Sequence, residues 1–316
     1  MSRKLLIVIL IIALLGSFGG YWYWKTVTAK PFALRFGYYR TAGCAPYWVA
    51  ADKGFFNDEG LNVTLIEMPS APKIIEAAVA GSLDMGTAGL FSTAQAFEAG
   101  INLRIANDGG HVDQDHEGTF IVVRKNSTIQ SVSDLKGKTI AIPGWGTISD
   151  MALRLLLSKY NLTIADVNIV ILSSEKQIAA LISGRIDAAT LSEPFLTYAL
   201  DTGDFTKLHP TTSWIFPDHK FQLATTFFLK SFLDEHRDVV NAFIKAYARA
   251  VGWMNDHPDE TREIIAKYTG LDIKLVGRMQ AYAFSRQLDS ELVDRCLSLM
   301  WEAGFLKQKI KAVDIM

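Results

Sequence analysis

One fifteen-residue pattern occurs twice in this chain and limits its fold more than any other feature. Residues 73–87 read Lys-Ile-Ile-Glu-Ala-Ala-Val-Ala-Gly-Ser-Leu-Asp-Met-Gly-Thr, and residues 176–190 read Lys-Gln-Ile-Ala-Ala-Leu-Ile-Ser-Gly-Arg-Ile-Asp-Ala-Ala-Thr. Aligned without a gap, they share Lys73/Lys176, Ile75/Ile178, Ala77/Ala180, Gly81/Gly184, Asp84/Asp187 and Thr87/Thr190. Internal repetition of this kind marks a repeated structural unit. Each copy reads as a helix of small and apolar residues, a glycine able to take the left-handed conformation that ends it, and a short strand. Thr87 and Thr190 then fall near the C-terminal ends of two strands, where open α/β sheets place their ligand crevice. Two such units predict an α/β chain of two lobes with facing binding edges.

The surroundings of the two copies also correspond. Residues 33–39 alternate as a strand should, a helix follows over 47–52, and a second strand over 62–68. The first copy leads to a helix at 92–98 and a strand at 103–107. A new first strand at 139–142 opens the second round, followed by a Gly-rich loop, a helix at 149–159, a strand at 167–172 and the second copy. Residues 119–124 and 221–228 are candidate crossings between lobes, and 205–222 reads as loop. Val240, Phe243, Ile244, Tyr247, Val251 and Met254 recur at helical spacing. Further helices are expected at 258–268, stopped by Gly270, and at 286–306. The expected division is a leader and linker at 1–30, one lobe from 33–122 with 224–316, and a second from 123–223.

Charge bears on the N-terminus. Residues 1–30 hold four bases and no acid, and the remainder carries 28 bases against 33 acids. Nothing in that balance suggests a nucleic-acid surface. Arg3 and Lys4 precede eleven consecutive apolar residues at 5–15, and Tyr21-Trp22-Tyr23-Trp24 follow. A helix over 5–24 is about 30 Å long, enough to span a bilayer. The segment is either a cleaved signal peptide or a retained membrane anchor, and both readings export the rest of the chain. Cys44 and Cys296 are the only cysteines, and their separation in sequence says nothing about proximity.

Several short stretches, in their order and spacing, resemble the exported solute-binding proteins of ABC importers, of the nitrate/sulfonate/taurine and thiamine-precursor type. They are Ala45-Pro46, Gly54-Phe55-Phe56 with Glu59-Gly60-Leu61, Ala80-Gly81-x-Leu83-Asp84, Asp134-Leu135-Lys136-Gly137-Lys138, Gly184-x-Ile186-Asp187-Ala188 and Glu193-Pro194. The resemblance implies a type II periplasmic-binding fold, with two lobes of mainly parallel sheet flanked by helices and a ligand cleft between them. It also implies a permease and an ATPase on separate chains, since this sequence has no G-x-x-x-x-G-K-[ST] loop. The implied function is capture of a small anion or zwitterion, with an aminopyrimidine as the alternative. A pyrimidine-forming enzyme of the same fold family is the competing class. No G-x-S-x-G or H-E-x-x-H motif supports catalysis, and no cofactor is expected.

Four stretches are candidates for ligand contact. Arg40, Thr41 and Gly43 follow the first strand, and Arg40 offers a forked donor to an anionic head group. Thr87 ends the first repeat and Ala88 follows it, where small residues let backbone approach a ligand. Trp145, Gly146 and Thr147 open a helix directly after a strand, the usual setting of an anion site. Glu193 either caps the helix that Pro194 begins or meets a ligand amine. His111, Asp113, Asp115 and His116 mix metal-ligand types, but no third cluster completes a shell, so a solvated loop is expected there.

Overall fold

The computed structural model describes residues 30–280 and 282–316. The expected leader therefore lies outside the described residues, except for Lys30 at its end.

The strands in chain order are β1 (Phe32–Tyr38), β2 (Leu61–Glu67), β3 (Met85–Gly89), β4 (Leu103–Asp108), β5 (His111–Val112), β6 (Thr119–Arg124), β7 (Thr139–Ile142), β8 (Asn168–Ile171), β9 (Ala188–Ser192), β10 (Phe205–Pro210), β11 (Phe221–Gln222) and β12 (Ala224–Leu229). The main helices are α1 (Ala45–Asp52), α2 (Ala71–Val79), α3 (Leu90–Glu98), α4 (Ile148–Lys159), α5 (Ser174–Ile182), α6 (Phe195–Asp201), α7 (Arg237–Asp256), α8 (Pro258–Thr269) and α9 (Ser290–Glu302).

Two five-stranded sheets result, ordered β2-β1-β3-β12-β4 and β10-β6-β9-β7-β8. In the first, β1 runs parallel to β2 and β3, while β12 runs against β3 and β4. In the second, β7 runs parallel to β8 and β9, while β6 runs against β9 and β10. Both sheets thus follow one plan, and in each the reversed strand is the one on which the chain arrives from the other lobe. The boundary expected at 122/123 falls inside β6, which pairs wholly in the second sheet.

The repeat explains itself in this frame. Gly81 and Gly184 have φ of 72° and 71°. Each closes its helix with the same pair of bonds: Gly81 N to Ala78 O and Ser82 N to Ala77 O in one copy, Gly184 N to Leu181 O and Arg185 N to Ala180 O in the other. The shared aspartates staple each copy to the first strand of its lobe. Asp84 Oδ2 accepts from Arg35 N at 2.7 Å, and Asp187 Oδ2 accepts from Thr139 N at 2.9 Å. The return bonds run from Asp84 N to Arg35 O and from Asp187 N to Thr139 O.

The first sheet is buried on both faces, by α2 and α3 with Leu292, Leu297 and Met300 of α9, and by α1 with Val240, Phe243, Tyr247 and Val251 of α7. The second packs Leu153, Leu156 and Leu157 of α4 on one face and Ile178, Leu181 and Leu196 on the other. Cys44 and Cys296 sit in different clusters of the first lobe as buried free thiols.

Two expectations are corrected. Residues 205–222 are not all loop, because β10 forms the edge of the second sheet. Only Phe205 of that strand is buried, so its pattern is that of a polar edge strand rather than a core strand. Residues 286–289 precede α9 and are not helical. Between the lobes, β5 and β11 pair as a short antiparallel ribbon, extended by a bridge from His111 to Ala283. This ribbon lies where the chain passes between the lobes.

Candidate functional site

A cavity of about 190 Å³ lies between the C-terminal edges of the two sheets. Among the described residues its wall holds eleven serines and threonines but only three charged side chains, Arg40, Glu67 and Glu175. Helix ends supply the rest of its polarity. Ser70, Gly89, Thr147 and Ser173 are the N-caps of α2, α3, α4 and α5, and all four line the cavity. Two of these helices belong to each lobe. A helix N-terminus carries unsatisfied N–H groups and a partial positive charge, so four of them around one space favour negative charge there.

The hydroxyls divide into those already used and those free. Thr147 donates to Gly144 O at 2.7 Å and accepts from Asp150 N, which fixes the start of α4. Ser92 donates to Gly146 O at 2.6 Å, and Thr119 bonds with Ser192 and Tyr282. Neither Ser70 nor Ser173 uses its side chain to cap its helix. Ser149, 9% exposed in the first turn of α4, has no hydrogen-bond partner among the described residues for its hydroxyl. Tyr39 and Tyr282 close the wall, and burial pushes the Tyr282 phenol up to about 12, so it stays a neutral hydroxyl.

Of the sequence candidates, Arg40, Thr41, Gly43 and Thr147 line the cavity, and Thr87, Ala88, Trp145, Gly146 and Glu193 do not. Thr87 is buried behind the wall and donates to Thr225 O of the neighbouring strand. Ala88 packs into the hydrophobic core, because alternate residues of β3 face away from the cleft. Trp145 is 49% exposed, its ring 5.4 Å from the Arg154 guanidinium carbon. Gly146, with φ of 70°, turns the loop so that its amide meets Asp150 and its carbonyl meets Ser92. Glu193 is buried and caps α6, accepting from Thr197 N at 3.1 Å and Thr197 Oγ1 at 2.9 Å, and it also accepts from Gln280 N. Burial raises its carboxyl above the ordinary range despite those donors. Pro194 is the N-cap of α6 rather than its first residue.

Sequence reasoning missed two stretches, Glu67-Met68-Pro69-Ser70 and Ser173-Ser174-Glu175. Each ends within three residues of the start of a repeat copy, so the repeat itself was the signal that could have located them. The histidines of the 111–116 stretch are engaged with neighbouring carboxylates. His111 pairs with Asp108 at 2.5 Å and His116 with Asp113 at 2.6 Å, and among the described residues no three ligating side chains converge.

Contacts between the lobes include Glu193 with Gln280, Tyr282 with Thr119 and Gly118, and the Arg278–Asp201 ion pair, and three more lie at the cavity rim. Ala42 N donates to Glu193 O at 3.0 Å, Ser92 to Gly146 O, and Arg40 reaches Glu175 at 3.5 Å.

Two five-stranded lobes of one topology, joined by a paired ribbon and enclosing a hydroxyl-lined cavity, define the periplasmic-binding-protein class of fold. The chain belongs to the NMT1/THI5-like family, which it matches over residues 41–261. It is 27% identical over 285 residues to a putative aliphatic sulfonates-binding protein of Bacillus subtilis, covering 85% of this chain and 80% of the other. Its fold is similar to that of the alkanesulfonate-binding protein SsuA of Xanthomonas axonopodis pv. citri bound to MOPS, with a TM-score of 0.75 and 22% identity, over 90% of this chain and 98% of that one. It is similar also to the nitrate-binding protein NrtA of Synechocystis, with a TM-score of 0.72 and 15% identity, over 88% and 83% of the two chains.

Proposed function

We propose that the protein is the solute receptor of an ABC importer and captures a small organic anion of the sulfonate class between its lobes. The observation that carries this reading is the convergence of four helix N-caps on one interlobe cavity. An anionic head group placed there meets N–H donors and hydroxyls without needing a full countercharge. Ser149, Ser70 and Ser173, whose hydroxyls are uncommitted, are the proposed side-chain donors. The rest of the wall, including Phe195, Leu223 and Ile148, offers apolar surface to a short carbon chain.

A catalytic role finds no support in the wall, which among the described residues contains no histidine, cysteine or lysine. Receptor function further requires export by the N-terminal segment, and a permease and ATPase as separate partners. A second reading rests on Glu67 and Glu175. These carboxylates accept hydrogen bonds from an amino group, so a zwitterion such as taurine, or an aminopyrimidine, also suits the cavity.

Thermal unfolding in the presence of ethanesulfonate, MOPS, taurine, nitrate and an aminopyrimidine tests the proposal. A ligand that binds only the folded form raises the melting temperature by mass action. Ethanesulfonate or taurine is expected to do so. If no anion shifts the transition, the receptor reading of this cavity is wrong.

A further inference from the structure

We propose that Arg40 is the latch of the cleft: it positions and holds the closed lobes through Glu175 rather than donating to the solute. The inference rests on the two-lobe receptor reading only in requiring that the lobes open and close.

The geometry assigns the guanidinium to carboxylates on both sides. Within its own lobe, Arg40 Nη2 donates to Glu67 Oε1 at 2.9 Å and to Oε2 at 3.1 Å, and Nε reaches Oε2 at 3.2 Å. Glu67 ends β2, so this forked pair fixes the plane of the guanidinium on the rim of the first lobe. The remaining arm, Nη1, lies 3.5 Å from Glu175 Oε1 in the first turn of α5, which belongs to the second lobe. Two residues further on, Ala42 N makes the backbone bond to Glu193 O. One short loop of the first lobe therefore carries both a charged and a backbone contact to the second. With Nε–H and one Nη2–H spent on Glu67 and an Nη1–H turned to Glu175, the guanidinium already faces two carboxylates, and a solute anion meets it only in competition with them.

The placement suits a reversible latch. The Arg40 and Glu175 side chains are 38% and 51% exposed, so the pair is weak and screened by salt. A buried pair in the same place would resist the opening that solute release needs. Glu67 acts before closure, holding Arg40 extended so that little side-chain entropy remains to be lost when Glu175 arrives.

The test reads lobe separation directly, without any solute. Lys73 and Lys176 are exposed and occupy equivalent repeat positions, one in each lobe. Spin labels at Lys73→Cys and Lys176→Cys report the interlobe distance by double electron–electron resonance. The native thiols are buried, and burial pushes both up to about 12, which keeps them unlabelled. Arg40→Gln and Glu175→Gln are each expected to lower the closed-to-open ratio about two- to five-fold, the range of an exposed ion pair. The double variant should do no more than either alone, and Arg40→Lys should fall between, since it keeps the charge and loses the fork. High salt should lower the ratio in the unsubstituted protein and leave Glu175→Gln nearly unchanged, an arm that needs no folded Arg40 variant. Distances unmoved by either substitution, or effects that add, overturn the proposal. It is also overturned if Arg40→Gln abolishes ethanesulfonate binding while Glu175→Gln strengthens it, because Arg40 would then be a solute donor. As the distances are taken without solute, failure of the sulfonate reading and failure of the latch give different results.

Discussion

Asp108, almost wholly buried at the end of β4, gathers the ribbon between the lobes onto one carboxylate. It accepts from Gly110 N at 2.9 Å, Gln222 Nε2 at 2.7 Å, Ser285 N at 2.7 Å and the His111 ring at 2.5 Å. Those donors come from both crossings and from the segment ahead of α9. Burial of His111 disfavours its charge, but the Asp108 hydrogen bond and the nearby Asp113 outweigh burial and the opposing Lys220, leaving its pKa above the ordinary imidazole value. A folded pKa raised above the unfolded one means stability that is fully present below about 6.5 and is lost as pH rises through the folded value. Urea denaturation across neutral pH should therefore show the unsubstituted protein losing stability relative to His111→Asn as pH increases. Parallel pH profiles for the two proteins would remove His111 from the stability of the ribbon.

At the scale of elements, the repeat helices show two different reasons for glycine. A Cβ at Gly184 meets nothing within 4 Å, so Gly184→Ala suffers only the left-handed backbone penalty, about 1 kcal/mol. A Cβ at Gly86 lies 2.4 Å from Ile74 Cγ2 and 3.1 Å from Gly37 O, so Gly86→Ala overpacks β3 against α2 and costs about 1–3 kcal/mol. Denaturant midpoints should rank the unsubstituted protein above Gly184→Ala and that above Gly86→Ala, and a reversed order would contradict the packing. The same elements show what sequence could reveal. Helix, glycine stop and strand are local signals, so both copies of the repeat and both lobes were legible. Lining residues in the loop between a strand and the next helix, such as Arg40 and Thr147, were legible too. Ser70 and Ser173 went unread because nothing in their own residue types marks a site, and only their matching places ahead of the two repeat copies do. Whether Trp145 and Glu193 turn inward depends on a single φ at Gly146 and on a distant amide at Gln280. The edge strand β10 escaped notice because it buries one residue and ends in proline.

For the whole molecule, the two lobes are built alike but assembled from the chain differently. The strands of the second sheet, β6 to β10, come from one continuous stretch. The first sheet is interrupted, because β12 is inserted between β3 and β4 and reaches them only after the second lobe has been traversed. Until residues 224–229 are present, β3 and β4 have no partner between them, and α7 and α9 are missing from the faces they cover. Residues 113–222 alone are expected to unfold cooperatively on heating, as judged by circular dichroism, whereas residues 30–112 alone should show no such transition. A cooperative transition in the shorter piece would mean that its sheet closes without β12. As the chain emerges N-terminus first, the consequence is an inverted order of assembly. The lobe that is synthesised first is completed last, and its exposed strands β3 and β4 need shelter for the time taken to make over a hundred further residues.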